Sequence, residues 1–129
     1  MALVIDLLTF TDSRGHLTVI EKIMPFAIRR IFYIYGVDNS VRGGHRHKTT
    51  FQAAICLKGS CRIYNHDGFS ETEYILDQPS KCLLLKPEDW HMMDHFSEDA
   101  ILMVLASNHY DEDDYIFTPY KKYDQVREP

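Results

Sequence analysis

Apolar side chains in this chain recur in short runs that are rich in β-branched, aromatic and aliphatic residues, and turn-forming residues separate one run from the next. Runs of this length and composition are typical of β-strands. No window shows the 3.6-residue apolar period of a long amphipathic helix. The pattern predicts strands at Leu17–Glu21, Ile28–Val37, Phe51–Leu57, Ser60–Tyr64, Thr72–Leu76, Lys81–Leu85 and Ile101–Ser107.

Turn residues connect these runs at regular intervals. Lys58-Gly59 and His66-Asp67-Gly68 each separate two runs as hairpin loops do, which predicts that neighbouring strands pair antiparallel. Many short strands at a spacing of about ten residues are typical of a sandwich or closed barrel. We therefore expect one all-β domain over residues 1–129, with a packed extension after Ser107 and a frayed end over 119–129.

Composition and charge narrow the class of protein. The chain is 45% hydrophobic and 26% charged, which is ordinary for a globular protein. Its formal charge of −5 opposes nonspecific binding to nucleic acid, and no apolar stretch approaches the roughly 20 residues that cross a bilayer. We expect no nucleic-acid or membrane partner and a cytoplasmic location. Three cysteines without C-x-x-C spacing are interpreted as small buried hydrophobic residues: Cys56, Cys61 and Cys82.

A local basic cluster departs from the acidic average and suits an anionic ligand, because guanidinium groups match phosphate oxygens. Its members are Arg29, Arg30, Arg42, Arg46 and Lys48. Strand alternation puts Arg30 on one face with Phe32 and Ile34 and puts Tyr33 on the other face, unless a bulge intervenes. Arg30 and Tyr33 are therefore not expected to reach one pocket together without such a bulge.

Two histidines one residue apart, His45 and His47, are the strongest chemical signal in the sequence. Positions i and i+2 of a strand point to the same face, so the two imidazoles act as a pair. Gln52 follows them, and a later strand leads through Pro87 into His91. This order predicts a small β-barrel with three imidazoles at its mouth. The simpler interpretation, two surface histidines on a polar strand, is disfavoured by the glycine pair that precedes them.

The run around His45 and His47, with Gln52 after it, resembles the first motif of the cupins, and the run into Trp90-His91 resembles the second. Gln52 stands where metal-binding cupins usually carry glutamate. Over most of its length the chain resembles the dTDP-4-oxo-6-deoxyglucose 3,4-ketoisomerases, which are related to the dTDP-sugar 3,5-epimerases. The similarity is carried by Asp12-Ser13-Arg14-Gly15, Pro25-Phe26-Ala27-Ile28-Arg29-Arg30-Ile31, Arg42-Gly43-Gly44-His45-Arg46-His47-Lys48, Trp90-His91, Leu105-Ala106-Ser107 and Tyr110-Asp111-Glu112-Asp113-Asp114-Tyr115.

The resemblance implies a cupin jelly roll, or double-stranded β-helix, of antiparallel strands and a metal-independent enzyme without a cofactor. The implied substrate is dTDP-4-oxo-6-deoxyglucose, and the product feeds an aminotransferase on the path to dTDP-linked 3-amino-3,6-dideoxysugars. Members of that family are usually homodimers whose N-terminal strands cross between subunits. In that family the paired histidines, here His45 and His47, lie beside the hexose and carry the proton transfers. The resemblance also suggests that Arg14, contributed by the partner subunit, Arg30 and Arg42 meet the diphosphate.

Moving a carbonyl from C4 to C3 of a hexose requires a base that removes the C3 proton, a proton transfer between O3 and O4, and an acid that protonates C4. Histidine suits each step because its unperturbed pKa of about 6.5 lets one ring act as base and then as acid. We assign His47 as the carbon base and acid, and His45 as the group that orients the sugar or moves the proton between its oxygens. The reverse assignment stays open, as does the configuration of the product at C4.

The other candidate side chains are expected to bind the substrate. Arg42, Lys48 or Tyr33 would stabilise the developing oxyanion, and Trp90, Tyr33 or Tyr115 would stack on thymine. The complete set expected to bind substrate is Arg14, Arg30, Tyr33, Arg42, Lys48, Gln52, Trp90, His91 and Tyr115.

Alternative functions fit part of this pattern. A metal-dependent cupin would use His45, His47 and His91 as ligands, although the neutral amide of Gln52 is a poor ligand for iron, nickel or zinc. A non-catalytic cupin would bind a sugar nucleotide in the same pocket and release it unchanged. A 3,5-epimerase pairs a single pocket histidine with an aspartate and a tyrosine, whereas this chain has His-x-His. The acidic run Asp111 to Asp114 is interpreted as structural, because charge runs are usually solvated faces.

Overall fold

The computed structural model describes residues 2–121. The described part is made of short strands and one 3₁₀ turn, and none of its helical segments is long and apolar enough to cross a membrane. The elements are β1 (Leu3–Asp6), β2 (Leu8–Asp12), β3 (Gly15–Val19), β4 (Arg30–Ile34), β5 (Arg42–His47), β6 (Gln52–Lys58), β7 (Cys61–His66), β8 (Glu71–Leu76), β9 (Lys81–Leu85), β10 (Trp90–Asp94), β11 (Ile101–Ala106), the 3₁₀ turn Glu112–Asp114 and β12 (Tyr115–Ile116).

These strands form two five-stranded antiparallel sheets and a separate hairpin. The first sheet has the order β1-β9-β6-β11-β4, and the second has the order β12-β5-β10-β7-β8. Strands β2 and β3 pair with each other. Successive strands alternate between the two sheets along much of the chain, which is the winding of a jelly roll. The predicted all-β cupin architecture is confirmed.

Each predicted strand is present, with shifted ends. Lys81–Leu85 coincides with β9, whereas the predicted Ile28–Val37 is shortened to β4. The sequence pattern missed β1, β2, β10 and β12 because they are short or mix polar and apolar residues irregularly.

The prediction that Lys58-Gly59 closes a hairpin is wrong. Strand β6 pairs with β9 and β11, and β7 pairs with β8 and β10, so this turn crosses from one sheet to the other. Gly59 has a φ of +70°, and a Cβ atom there would lie 2.1 Å from the Ser97 hydroxyl. The crossing therefore requires glycine for both conformation and space. The second predicted hairpin, at His66-Asp67-Gly68, is confirmed by the pairing of β7 with β8.

The main core lies between the two sheets. Alternate residues of β6 and β11 point into it, for example Cys56, Leu102 and Val104, which are all fully buried. All three cysteines are buried and free, as expected. The sequence pattern assigns His66 to the hairpin loop, but His66 is the last residue of β7 and is 4% exposed, so that assignment is wrong. Most of the predicted frayed end, residues 122–129, lies outside the described residues.

Candidate functional site

Strand β5 holds the two histidines next to β10. His45 pairs with His91 across the two strands, and the register then shifts between His91 and Met92. Gly43 permits this approach because its φ is +85° and a Cβ atom there would lie 3.1 Å from the His91 carbonyl oxygen. A larger residue would push β5 away from β10. Gly43, two residues before His45, therefore allows the third imidazole to lie next to the pair.

The three imidazoles and one tyrosine form a compact cluster. The ring centroids of His45 and His47 are 5.0 Å apart, and those of His45 and His91 are 4.9 Å apart. The Tyr115 ring contacts both members of the pair, with centroid distances of 4.7 Å to His45 and 4.6 Å to His47. It lies there because β12 pairs Tyr115 with His47. Predicted residues from three separate strands are thereby brought together.

A buried carboxylate holds His47. Asp114 Oδ2 lies 3.1 Å from His47 Nδ1, and both side chains are almost fully buried. The same carboxylate accepts hydrogen bonds from the Thr49 backbone N–H at 2.9 Å, from the Thr49 hydroxyl at 3.0 Å and from the Thr50 hydroxyl. Four donors therefore fix its position. A carboxylate at Nδ1 selects the tautomer in which Nδ1 carries the proton and Nε2 is free to act as a base.

A similar arrangement orients His91. Its Nδ1 lies 3.0 Å from the Asp89 carbonyl oxygen, which can only accept, so Nδ1 is the donor. Nε2 of His91, Nε2 of His47 and Oε1 of Gln52 are buried and have no hydrogen-bond partner among the described residues. Buried polar atoms without a partner are rare and require an explanation. All three can accept a hydrogen bond, and Gln52 lines the cavity described below.

A cavity of about 190 Å³ opens beside this cluster. It lies between β4, β5, β6 and β10, with Tyr115 on one side. The residues that line it are Phe32, Ile34, Arg42, Gly43, His45, Gln52, Met93 and Tyr115. Apolar walls with a few convergent polar groups are typical of a small-molecule site.

All three imidazoles are poor proton acceptors compared with free histidine. Burial, together with the charge of a neighbouring imidazole, lowers the pKa of His45, His47 and His91 to about 4 in each case. Asp114 opposes this effect at His47, but burial outweighs it. Burial also disfavours the ionised form of Asp114, yet its hydrogen bonds from Thr50 and Thr49 together hold its pKa below the usual value. At neutral pH the site therefore contains uncharged imidazoles beside an ionised carboxylate.

These pKa shifts predict acid sensitivity. Because the folded pKa of about 4 lies below the unfolded value of about 6.5, the unfolded chain binds more protons between these limits, and stability must fall as the pH falls. We expect the Tm to begin falling near pH 6.5, above the range in which carboxylates take up protons. Circular dichroism melts at successive pH values test this, and a constant Tm between pH 7 and pH 5 would contradict the lowered pKa values.

The structure brings most of the predicted site residues together. Arg42, His45, Gln52 and Tyr115 line the cavity, and His47 and His91 contact the ring of His45. Arg30 lies at the edge of this group, with its guanidinium 5.5 Å from the Phe32 ring and 5.7 Å from the Tyr110 ring. Its positive charge also lowers the pKa of His45 and His47.

Four predicted residues lie elsewhere. Tyr33 is 62% exposed on the face of β4 that points away from the cavity, as the strand alternation indicated. Trp90 precedes His91, so it points to the opposite face of β10, where its Nε1 donates to the Phe117 carbonyl at 3.2 Å. Lys48 is exposed beyond the end of β5. The Arg14 side chain is 87% exposed on the β2–β3 hairpin and pairs with Asp12 at 2.7 Å.

Sequence reasoning missed Asp114. It ends an acidic run that was interpreted as structural, and three of the four carboxylates in that run are exposed. The one signal available was its position directly before Tyr115, which the sequence analysis did assign to the site. The apolar lining residues Phe32, Ile34 and Met93 were not assigned to the site either, because an apolar wall has the same composition as the core.

The metal-dependent alternative requires a convergent ligand set. Within residues 2–121, no group of three or more His, Cys, Asp or Glu side chains has a geometry suited to a metal ion.

Comparison with known proteins agrees with this geometry. A family model described as FdtA: WxcM-like, C-terminal matches residues 2–128. A curated relative, the TDP-4-oxo-6-deoxy-alpha-D-glucose-3,4-oxoisomerase of Aneurinibacillus thermoaerophilus, is 45% identical over 125 residues, which cover 93% of this chain and 90% of that protein.

Solved structures show the same fold. A mutant of the 3,4-ketoisomerase QdtA from Thermoanaerobacterium thermosaccharolyticum, in complex with TDP-4-keto-6-deoxyglucose, is 39% identical with a TM-score of 0.87, and the match covers 98% of this chain and 92% of that one. The WlaRB TDP-quinovose 3,4-ketoisomerase of Campylobacter jejuni is 38% identical with a TM-score of 0.87, covering 91% and 92%.

The jelly roll and the imidazole cluster between its sheets are those of a cupin-type isomerase. More specifically, the chain belongs to the FdtA, WxcM-like family, and it is a sugar-nucleotide 3,4-ketoisomerase.

Proposed function

We propose that this enzyme moves the keto group of dTDP-4-oxo-6-deoxyglucose from C4 to C3. The observation that carries the proposal is the buried His47 imidazole, whose Nδ1 is held by Asp114 while Nε2 is free beside a second imidazole. At neutral pH Nε2 is uncharged and therefore available to accept a proton, and the Asp114 carboxylate at Nδ1 partly offsets the effect of burial on the pKa of His47. The curated relative at 45% identity is named for this substrate class, which supports the assignment.

The reaction needs proton transfers alone. His47 Nε2 takes the C3 proton, the C3–H electrons form the C3=C4 double bond, and the charge moves onto O4. His45 then moves the O3 proton to O4, which generates the carbonyl at C3 as C4 is protonated by His47 in its imidazolium form. One carbon is oxidised and its neighbour is reduced, so the sugar is its own redox partner. Asp114 stabilises the imidazolium between the two steps.

The developing enediolate requires positive charge or hydrogen-bond donors. Arg42 lines the cavity and Tyr115 contacts both imidazoles, so these two side chains are proposed as the stabilising groups. His91 presents Nε2 as an acceptor, which suits a substrate hydroxyl rather than the oxyanion. Gln52 Oε1 is likewise proposed to accept a hydrogen bond from a substrate hydroxyl.

The size of the cavity limits what it can enclose. Pockets for whole drug-sized ligands usually measure about 300–1,000 Å³, whereas this cavity measures about 190 Å³. We infer that it encloses the hexose, and that the diphosphate and thymidine lie at its mouth near Arg30 and Arg42. Of the three aromatic candidates for thymine, Tyr33 and Trp90 point elsewhere and Tyr115 contacts the imidazoles, so none of them is proposed to stack on the base.

The reaction is tested by incubating the purified enzyme with dTDP-4-oxo-6-deoxyglucose and recording NMR spectra of the product. Addition of an aminotransferase that acts at C3, with its amine donor, should then yield a 3-amino sugar. An epimerase would invert C3 or C5 and leave the keto group at C4, and a binding protein would return the substrate unchanged. Either of these results would reject the proposal, and the NMR spectrum also gives the configuration at C4.

The arginine on the hairpin points to a homodimer. Strand β1 pairs with β9 of its own chain, whereas β2 and β3 pair with no other strand in the part that the structure describes. Leu8, Phe10 and Leu17 on this hairpin are 58–61% exposed. Neighbouring exposed apolar side chains of this size are typical of a surface that another protein covers, and a two-stranded hairpin alone is only marginally stable. We propose that this hairpin packs on a second copy and delivers Arg14 to the diphosphate of the partner's site. A cytoplasmic location stays a prediction from the sequence.

Arg14 acting across the dimer predicts complementation between two defective variants. Arg14→Ala should raise KM about 10- to 100-fold through the lost charge-assisted contact, and His47→Asn should be almost inactive. In a mixed dimer, one site combines an intact His47 with an intact Arg14 from the other subunit. Activity should therefore reappear when the two variants are mixed and allowed to exchange subunits. Mixed dimers that form, as shown by native mass spectrometry, without regained activity would contradict the exchange.

A further inference from the structure

The segment Tyr115–Tyr120, here called the strap, connects the cavity to the opposite face of the second sheet. Its first residue, Tyr115, contacts His45 and His47, and the Phe117 ring lies 6.2 Å from the His45 ring. The strap is attached to β5 through a ladder of two residues, which pairs Tyr115 with His47 and Ile116 with Arg46. So short a ladder holds little structure by itself. Other contacts must keep the strap against the sheet.

Three residue pairs make such contacts on the outer face of the sheet. Trp90 Nε1 donates to the Phe117 carbonyl oxygen at 3.2 Å. Arg46 Nη1 donates to the Tyr120 hydroxyl at 2.8 Å, and the Arg46 guanidinium also lies 4.1 Å from the centroid of the Tyr120 ring. The Tyr120 hydroxyl in turn donates to the Glu88 carbonyl oxygen at 2.9 Å.

The surface beneath Tyr120 is shaped to receive its ring. His66 lies under it with a centroid distance of 5.3 Å, and the two rings are inclined by 30°. Gly68 has a φ of +99°, and a Cβ atom there would lie 3.3 Å from the ring of Tyr120. A side chain at that position would therefore press on the ring. Arg46, Glu88, His66 and Gly68 surround this tyrosine, and none of these four residues lines the cavity.

We propose that Arg46 and Tyr120 are positioning residues, which hold the strap so that Tyr115 stays against the two imidazoles. Arg46 lies between His45 and His47 on β5, so its side chain points to the opposite face of the sheet from the two imidazoles. The same strand therefore holds the imidazoles on one face and binds the strap on the other. Release of Tyr120 would leave the catalytic side chains unchanged and would lower the fraction of molecules in which Tyr115 is in place. An apparent affinity falls in proportion to that fraction. The consequence for substrate rests on the proposed function.

The chain contains a direct reporter of the strap. Trp90 is its single tryptophan, and the indole is 9% exposed and bonded to the strap. Detachment of the strap frees the indole N–H and admits water. The tryptophan emission should then move to longer wavelength, and its quenching by acrylamide should increase. This measurement needs no substrate.

The test compares Tyr120→Leu, which removes the ring and the hydroxyl, with Tyr120→Phe, which keeps the ring. Loss of the cation–π contact and both hydrogen bonds should raise KM about tenfold in Tyr120→Leu, with kcat within about twofold of the native value. The tryptophan emission should shift in the same variant. For Tyr120→Phe, both the KM and the emission shift should lie between those of the native enzyme and those of Tyr120→Leu. Phe69→Leu is the matched control, because Phe69 adjoins Gly68 but is 68% exposed, and it should leave both readouts unchanged.

Two results in Tyr120→Leu would overturn the proposal. One is an emission shift with a native KM, and the other is a native emission spectrum, whatever the KM. If Tyr120→Leu does not fold, Arg46→Lys, which keeps the charge and loses the planar stacking group, must show the same paired changes at a smaller size. If the native enzyme does not isomerise the keto sugar, the proposed function fails, while the emission spectra still decide whether Tyr120 holds the strap.

Discussion

Replacement of His47 by asparagine is expected to lower kcat about 10³- to 10⁴-fold and to stop exchange of the C3 proton with solvent. A positioned acid–base group contributes roughly this factor, and His47 is proposed to act both as base and as acid. Asparagine preserves polarity and much of the volume, so the cavity should keep its shape. The measurement is the loss of deuterium from substrate labelled at C3, followed by NMR. His45→Asn, measured in parallel, should retain slow C3 exchange.

The control for this variant is His95→Asn. His95 is exposed and has a φ of 51°, a backbone conformation that asparagine tolerates. Its kcat should be unchanged. If His47→Asn exchanged the C3 proton at the native rate while His45→Asn did not, the two roles would be reversed. Native exchange in both variants would place the base on another residue.

Asp114→Asn is expected to lower kcat about 10²- to 10³-fold with a much smaller change in KM. The amide can present its NH₂ group to His47 Nδ1, which favours the tautomer with the proton on Nε2 and removes the base from the cavity. It also removes the negative charge that stabilises the imidazolium between the two proton transfers. The variant should in addition be less stable, because Thr49 and Thr50 lose a charged acceptor.

The control here is Asp113→Asn in the same 3₁₀ turn, where the carboxylate is exposed. It should change neither kcat nor the Tm by a measurable amount. Separation of the two effects of Asp114→Asn requires a melt of each variant, with kcat measured well below its Tm. A folded Asp114→Asn enzyme with native kcat would show that Asp114 serves the fold and takes no part in the reaction.

Most of the fold was predictable because each buried strand carries a local signal. Strands such as β6 and β9 consist mainly of apolar residues and lie next to turn residues, and both were predicted close to their observed limits. The pairing of the strands was harder to predict from the sequence. Lys58-Gly59 has the composition of a hairpin turn, and nothing local to it indicates that β6 is bonded to β9 and β11 instead of β7.

The site also contains some residues that the sequence predicts and others that it does not. His45 and His47 were predictable because strand alternation alone puts two imidazoles on one face. The position of Tyr33 followed from the same rule, which also excluded it from the face of Arg30. Asp114 was not predictable, because its role depends on a contact across 67 positions of sequence and its neighbours in the run are exposed carboxylates.

The distance in sequence between His47 and Asp114 also has a consequence during protein synthesis. The imidazole pair emerges early in the chain, but its carboxylate partner and Tyr115 follow 67 and 68 positions after His47. Contacts between distant positions form late and slow the folding of all-β proteins. On the proposed mechanism, a nascent chain is expected to stay inactive until Asp114 and Tyr115 have been translated, and fragments that end before Asp114 should contain both histidines without a working site.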